Sequence, residues 1–63
     1  MPFVSVRLVA GRSTEAKQEL ARRITKDVQD VLQVKPEAVW ITFEEIPGTD
    51  WSIGGKPLSG TAK

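Results

Sequence analysis

The N-terminal part of the chain alternates between apolar and polar side chains, as a β-strand with two different faces does. The alternating run is Phe3–Val9, and it is rich in β-branched residues, which favour strands. One face of this predicted strand carries Val4, Val6 and Leu8, and the other carries Phe3, Ser5, Arg7 and Val9. Gly11 follows the run and supplies the backbone freedom that a tight turn requires.

After this turn the spacing of apolar residues changes to a helical period. The pattern predicts a helix from about Thr14 to Leu32, with Ser13 or Thr14 as the N-cap. Its apolar stripe consists of Ala16, Leu20, Ile24, Val28, Val31 and Leu32. Its polar side, which we interpret as a solvated face, carries Lys17, Gln18, Glu19, Arg22, Arg23, Lys26, Gln29 and Asp30. Pro36 ends the helix, because the residue before a proline disfavours the α region.

A second strand is predicted from Val39 to Ile46. Its faces carry Val39, Ile41, Phe43 and Glu45 on one side, and Trp40, Thr42, Glu44 and Ile46 on the other. A turn at Pro47–Asp50, a short strand or hairpin at Trp51–Gly55 and an irregular tail at Lys56–Lys63 follow. The predicted fold class is α/β, a single right-handed βαβ unit with two parallel strands, one long helix and a short C-terminal hairpin or tail. We expect residues 1–63 to form one domain.

One helix covers only one face of a two-stranded sheet, so the other face is expected to be exposed. That face carries Phe3, Val9, Trp40 and Ile46, with Arg7 and Glu44 placed to pair. Such an apolar patch on a small chain marks a subunit interface. A chain of 63 residues is marginally stable alone, and without cysteine or histidine it lacks disulfides and the usual metal ligands. Oligomerisation is therefore the expected means of stabilisation.

Charge and hydropathy argue against a nucleic acid or a membrane as the partner of this chain. Nine basic and eight acidic residues give a net charge of +1 without long blocks of one sign, which argues against nucleic-acid binding. The apolar runs are far shorter than the roughly 20 residues needed to cross a membrane. The N-terminus also lacks the charged and apolar regions of a secretory signal, so the expected location is cytoplasmic.

Candidate catalytic groups are few, because the chain contains neither histidine nor cysteine. Ser-His-Asp and Cys-His constellations are therefore excluded. Ser52–Gly55 lacks the spacing and the Lys-Ser/Thr ending of a phosphate-binding loop, so a hairpin turn is the preferred interpretation. Glu44 and Glu45 alternate between the two faces of a strand, and they do not converge as an acid/base pair.

Pro2 stands directly before the first predicted strand, so we expect it to be built into the fold. Removal of Met1 is generally permitted before a small residue, and it would leave a secondary amine at the start of that strand. An α-amino group has a pKa near about 8, which an apolar pocket and a nearby cation both lower. Trp51 and Ile53 offer an apolar wall, while Arg12 offers the cation and a forked grip for a carboxylate.

Several short motifs together resemble the 4-oxalocrotonate tautomerase family, over essentially the whole chain. They are Met1-Pro2, Gly11-Arg12-Ser13, Glu44-Glu45-Ile46 and Trp51-Ser52-Ile53-Gly54-Gly55-Lys56. The resemblance implies βαβ subunits that pair into dimers and assemble as a homohexamer, a trimer of dimers. It also implies a cofactor-independent isomerase of the 2-hydroxymuconate tautomerase type.

The resemblance implies roles for individual residues. Pro2, exposed by removal of the initiator methionine, is the general base that moves a proton between the oxygen and a carbon of an enol, yielding a 2-oxo acid. Arg12, contributed by a neighbouring subunit, binds a substrate carboxylate. Trp51 occupies the position of an aromatic residue that keeps the site dry. Val9 and Ile53 match apolar positions that line the pocket.

Trp40 departs from the family pattern, because well-known members carry a second arginine at this position. Indole donates one hydrogen bond but cannot form a bidentate ion pair with a carboxylate. The departure predicts poor turnover of the dicarboxylate 2-hydroxymuconate. It favours a monoacid enol such as an arylpyruvate, with its carboxylate on Arg12 and its ring against Trp40 or Trp51. Packing of Trp40 in a subunit interface is the alternative interpretation.

Two functions stay open at this point. The first is a keto–enol tautomerase acting on 2-hydroxy-dienoate or enolpyruvate-type acids with Pro2 as general base. The second is a non-catalytic, oligomeric small-molecule-binding or structural subunit of the same fold. Neither function requires a metal, a cofactor, a nucleic acid or a membrane.

Overall fold

The computed structural model describes residues 2–59. The elements, in chain order, are β1 (Phe3–Val9), α1 (Thr14–Leu32), a 3-10 turn (Pro36–Ala38), β2 (Trp40–Ile46), a second 3-10 turn (Gly48–Asp50), β3 (Ser52–Ile53) and β4 (Lys56–Pro57). The predicted βαβ unit with a C-terminal hairpin is confirmed, and β1 and β2 are parallel. Within residues 2–59 no helix is long and apolar enough to span a bilayer. Met1 and residues 60–63 of the predicted tail lie outside the described residues.

Hydrogen bonds between β1 and β2 set the register of the sheet. Phe3 lies beside Trp40, and Val9 lies beside Ile46. The backbone hydrogen bonds continue past β1 at both ends. The Trp40 N–H donates to the Pro2 carbonyl at 3.0 Å, and the Ala10 N–H donates to the Ile46 carbonyl at 2.9 Å. Pro2 is thus tied into the sheet through its carbonyl group.

Helix α1 begins and ends with recognisable caps. The Ser13 hydroxyl accepts a hydrogen bond from the Ala16 N–H at 3.0 Å, so Ser13 is the N-cap. At the other end Gln33 adopts a left-handed conformation with φ of 58°. Its N–H donates to the Gln29 carbonyl at 2.8 Å, which satisfies one of the last carbonyls of the helix.

The start of β2 differs by one residue from the prediction. The strand begins at Trp40 rather than Val39. The reason is the preceding 3-10 turn, whose last hydrogen bond runs from the Val39 N–H to the Pro36 carbonyl at 3.0 Å. Val39 is therefore used to close the turn, and its N–H is not free for the sheet.

The predicted irregular tail is wrong at its beginning. Lys56–Pro57 pairs antiparallel with Ser52–Ile53 and completes a hairpin. The connection consists of Gly54 and Gly55, whose φ angles are 62° and 86°. Two successive residues with positive φ are what a tight two-residue hairpin turn needs, and glycine adopts them without strain.

Helix α1 packs on one face of the sheet. The half-buried residues of that face are Val4, Val6, Leu8, Ile41 and Phe43. The C-terminal end of the predicted helical stripe does not pack on the sheet, since Val31 is 77% exposed and Leu32 is 55% exposed. The 19-residue helix is about 28 Å long and each seven-residue strand about 23 Å, so the helix is longer than the strands it covers.

The face of the sheet away from α1, the open face, carries two interacting pairs. Phe3 and Trp40, 63% and 53% exposed, pack edge to face with ring centroids 6.5 Å apart. Arg7 Nε donates to Glu44 Oε1 at 3.1 Å, which confirms the predicted ion pair. Two apolar residues predicted to be exposed on this face are instead half-buried, namely Val9 and Ile46.

None of residues 2–59 is fully buried in the single chain. Burial of apolar surface is the dominant favourable contribution to folding, so a chain without a closed core needs further surface to cover. The exposed aromatic rings of Phe3 and Trp40 are available for this purpose. We therefore expect stability to depend on association.

Association predicts a thermal unfolding midpoint that rises with protein concentration, because binding to the folded state stabilises it. We expect Phe3→Glu, which puts a charge on the open face, to lower the midpoint and to produce smaller species. Gln18→Glu, at an exposed polar position of α1, is the control and should change neither property. Circular dichroism melts and sedimentation velocity measure both. A wild-type midpoint that is independent of concentration would contradict the prediction.

Candidate functional site

The predicted site residues fall into two groups along the chain. Pro2 and Trp40 lie where the two parallel strands begin. The other group lies at or after the strand ends and consists of Val9, Arg12, Trp51 and Ile53. β1 has seven residues and rises about 3.3 Å per residue, so its first and last residues, beyond which Pro2 and Arg12 lie, are about 20 Å apart. A single chain therefore does not bring Pro2 and Arg12 together.

The beginning of the sheet combines a fixed proline with aromatic side chains. Pro2 is half-buried, and its carbonyl accepts the hydrogen bond from the Trp40 N–H. The Trp40 ring lies against Phe3 and remains about half exposed, so its surface is available to a ligand or to another subunit. The backbone of Pro2 is thus held in place beside a strand that begins with an aromatic residue.

Arg12 lies in the turn that joins β1 to α1, between Gly11 and the N-cap Ser13. Gly11 has φ of 119°, a conformation that favours glycine and lets the chain turn sharply. Arg12 lines a small cavity of about 130 Å³ together with Leu8, Ala16, Lys17 and Leu20. Among residues 2–59 the Arg12 guanidinium has no ion-pair partner, so it is available to bind an anion.

Lys17 and Glu45 form an ion pair between α1 and the end of β2. The hydrogen bond from Lys17 and its charge hold the pKa of Glu45 below the ordinary value of 4.5, and the backbone N–H of Gly11 acts in the same direction. The prediction that Lys17 belongs to a solvated face is wrong, since its side chain is only 24% exposed. Strand alternation, which puts Glu45 on the face covered by the helix, was the available signal that this carboxylate would draw a cation from the helix.

Trp51 and Ile53 belong to the hairpin region. The Trp51 N–H donates to the Gly48 carbonyl at 3.3 Å, and the Trp51 carbonyl accepts from the Leu58 N–H at 2.6 Å, so its backbone is fixed at both sides. Trp51 is half-buried, whereas Ile53 is 63% exposed. Neither residue lines the cavity that contains Arg12. Trp51 and Ile53, predicted as an apolar wall for the Pro2 amine, therefore share no cavity with Arg12 within one chain.

A larger open groove, of about 580 Å³, runs along α1 and contains none of the predicted site residues. Its lining consists of Gln18, Ala21, Arg22, Thr25, Lys26, Gln29 and Asp30. Charged side chains of this groove are paired on the helix itself, for example Lys26 with Asp30 at 3.3 Å. Across residues 2–59 no group of three or more Asp and Glu side chains gathers in a way that could hold a metal ion.

The chain is similar to known proteins along almost its whole length. The family model described as tautomerase enzyme matches residues 2–60. A probable tautomerase of Halalkalibacterium halodurans is 36% identical over 59 residues, covering 94% of this chain and 97% of the relative. The 2-hydroxymuconate tautomerase of Bacillus subtilis is 30% identical over 59 residues, covering 94% and 95%. The solved structure of a heterohexamer 4-oxalocrotonate tautomerase from Chloroflexus aurantiacus superposes with a TM-score of 0.88 at 31% identity, covering 98% and 100%.

The lowered pKa of Glu45 predicts how stability depends on pH. Because the folded-state pKa lies below the ordinary 4.5, the carboxylate stabilises the fold above about that pH, and this contribution is lost on further acidification. Glu45→Gln should therefore have a lower free energy of unfolding at neutral pH and a smaller loss of it below about pH 4.5. Urea unfolding at a series of pH values measures both curves. Parallel curves for the two proteins would refute the assignment.

Proposed function

The chain belongs to the 4-oxalocrotonate tautomerase family, and we propose that it is a keto–enol tautomerase with Pro2 as general base. The observation that carries the proposal is the position of Pro2, whose carbonyl is hydrogen-bonded into the start of the parallel sheet. The family match begins at this same residue. Membership of the family gives no support to the alternative of a non-catalytic subunit. A cytoplasmic location of the protein remains an expectation from the sequence.

The proposed chemistry begins with removal of Met1, which turns the Pro2 nitrogen from a tertiary amide into a secondary amine. In its neutral form this amine takes the hydroxyl proton of the enol, and the carbon–oxygen bond becomes a carbonyl. The proton then returns from the amine to a carbon of the substrate, so the reaction is a net isomerisation without a cofactor. A base with a pKa near the working pH is most effective, and apolar surroundings lower the pKa of an amine in that direction.

Arg12 is the proposed carboxylate binder, and it would act on the substrate held at Pro2 of another subunit. Support comes from two observations, the placement of the two residues beyond opposite ends of β1 and the absence of an ion-pair partner for Arg12 within residues 2–59. The proposed pocket is thus formed between two subunits. The subunit that contributes Arg12 would also line it with Trp51, Ile53 and Val9. We propose a homohexamer, a trimer of dimers, as the assembly that joins these groups.

The proposed substrate is an enol of a monocarboxylic 2-oxo acid, such as the enol of an arylpyruvate. Arg12 would bind its carboxylate, while Trp40 or Trp51 would contact its ring. Trp40 offers an exposed aromatic face paired with Phe3, and it offers no second charge for a dicarboxylate. The name of the Bacillus subtilis relative supports the general class of enolic 2-oxo acids.

The role of Pro2 predicts that Pro2→Ala lowers kcat by about 100-fold, because the primary amine that remains is not held by a proline ring and a small misplacement of a catalytic group costs about that much. The Pro2 carbonyl is a backbone group, so the sheet and the assembly should be unchanged. Enol decay is followed by ultraviolet absorbance, and intact mass establishes that Met1 has been removed from each sample. Pro36→Ala, in the connection before β2, is the matched control and should keep wild-type kcat. Undiminished turnover by processed Pro2→Ala would refute the mechanism.

The role of Trp40 predicts a change in substrate preference on substitution. Trp40→Arg adds a second carboxylate grip, which should raise kcat/KM for 2-hydroxymuconate relative to phenylenolpyruvate by about 10-fold or more. Trp40→Phe keeps an aromatic ring beside Phe3 and should leave the ratio close to that of the wild type. Steady-state kinetics on the two enols give the ratio. An unchanged ratio in Trp40→Arg would favour interface packing as the role of Trp40.

A further inference from the structure

The ion pair between Lys17 and Glu45 differs from the other ion pairs of residues 2–59. Its side chains are 24% and 34% exposed, whereas every side chain of the other pairs is at least 44% exposed. It also connects two elements that are distant in sequence, α1 and β2, while three of the others lie within one helix. Screening by solvent is weaker for such a pair than for the exposed ones.

The position of Glu45 explains why this pair is needed. Glu45 follows Ile41 and Phe43 on the face of β2 that α1 covers. A carboxylate on that face loses part of its hydration and requires a partner. Lys17 provides it from the first turns of the helix, one turn after the N-cap Ser13. The ion pair thus holds the start of α1 against the end of β2.

The Glu45 carboxylate also lies at the end of the sheet from which the turn with Arg12 starts. The Ala10 N–H donates to the carbonyl of Ile46, the residue after Glu45, at 2.9 Å, so Glu45 lies at the end of the sheet where the turn to Arg12 begins. The contribution of the Gly11 N–H to the lowered pKa of Glu45 agrees with this placement. Ser13, the residue that follows Arg12, is held by its hydrogen bond to Ala16. Arg12 therefore lies between the end of the sheet, held by the Ala10 N–H, and the N-cap Ser13, which accepts from Ala16, so its backbone has a defined place.

Besides holding α1 against β2, the pair neutralises the charges of Lys17 and Glu45. Lys17 and Arg12 line the same cavity of about 130 Å³, so two cations face one small space. Glu45 pairs with Lys17 and not with Arg12. Because Glu45 is paired with Lys17, it does not neutralise Arg12, and the guanidinium of Arg12 keeps its capacity to bind an external anion.

We propose that Lys17 and Glu45 are positioning residues for Arg12: their ion pair anchors the turn that carries Arg12 and keeps its guanidinium free for the carboxylate of the substrate. The proposal rests on the proposed function, since it takes Arg12 as the carboxylate binder. It assigns no contact with substrate to Lys17 or Glu45. The pair acts on binding of the carboxylate and leaves proton transfer at Pro2 unchanged.

Removal of the Lys17 charge should therefore weaken binding and spare the chemical step. In Lys17→Met the Glu45 carboxylate loses its partner and becomes a competitor for Arg12. We expect KM for phenylenolpyruvate to rise about fivefold, an effect of the size that one partly exposed ion pair contributes. The value of kcat should stay within about twofold of wild type, because the interaction is made equally in the ground state and the transition state.

The experiment compares phenylenolpyruvate with its uncharged methyl ester, which lacks the group that Arg12 binds. Lys17→Met should raise KM for the acid and leave KM for the ester unchanged. Lys17→Arg keeps a cation for Glu45 and should restore the wild-type KM. Lys26→Met is the matched control, because it removes a lysine from the same helix and breaks one ion pair, far from the Arg12 cavity. If Lys17→Met does not assemble, Lys17→Gln, which retains a donor without charge, takes its place.

The outcomes separate this proposal from the proposed function. Arg12→Ala is measured beside the Lys17 variants, and it should raise KM for the acid more than Lys17→Met does. If Arg12→Ala leaves KM unchanged, Arg12 is not the carboxylate binder and both proposals fail at that step. If Arg12→Ala raises KM while Lys17→Met does not, the positioning role alone is wrong. An equal rise for acid and ester in Lys17→Met would show a general structural defect and would also overturn the positioning role.

Discussion

The parallel hydrogen bonding between β1 and β2 runs without interruption from the Pro2 carbonyl to the Ala10 N–H. Two parallel strands cannot be joined by a short hairpin, so the chain has to return through a crossover, here the helix α1. This geometry leaves Pro2 at the beginning of the sheet and Arg12 past its end. The distance between them is a property of the fold, and side-chain rearrangement within one chain does not remove it.

A single βαβ unit keeps Pro2 and Arg12 apart, and it also leaves one face of its sheet uncovered. Its single helix covers one face of the sheet, and none of residues 2–59 becomes fully buried. Covering the open face by another subunit would supply the missing burial, with the Arg7–Glu44 pair and the Phe3–Trp40 pair already formed on it. Association thus serves stability and also provides the only way to combine the proposed base with the proposed carboxylate binder. Both needs arise from the same βαβ geometry.

Local patterns predict the fold of this chain well. Alternation predicts β1 with its bounds, helical spacing together with the stop at Pro36 predicts α1, and strand register predicts the Arg7–Glu44 pair. The errors occur where tertiary contacts decide. Lys17 has the sequence context of a solvated residue, and only packing of α1 over Glu45 turns it inward. The proposed pocket would lie between chains, so no pattern within one chain shows how it closes. Position and elimination indicated Pro2, Arg12, Trp51 and Ile53 as candidates, and the family resemblance supplied their roles.

The residue at position 40 would affect both the charge state of the proposed amine base and the kind of substrate that the site accepts. A cation and an apolar neighbour both disfavour a protonated amine, the first by repulsion and the second by reduced hydration. An indole where the family resemblance implies an arginine would therefore still be compatible with the proposed role of the Pro2 amine as base. The same difference removes a carboxylate partner and adds a ring that pairs with Phe3. In the proposed enzyme, this one difference from the family pattern would leave the proton transfer intact while shifting preference from a dicarboxylate to an aromatic monoacid.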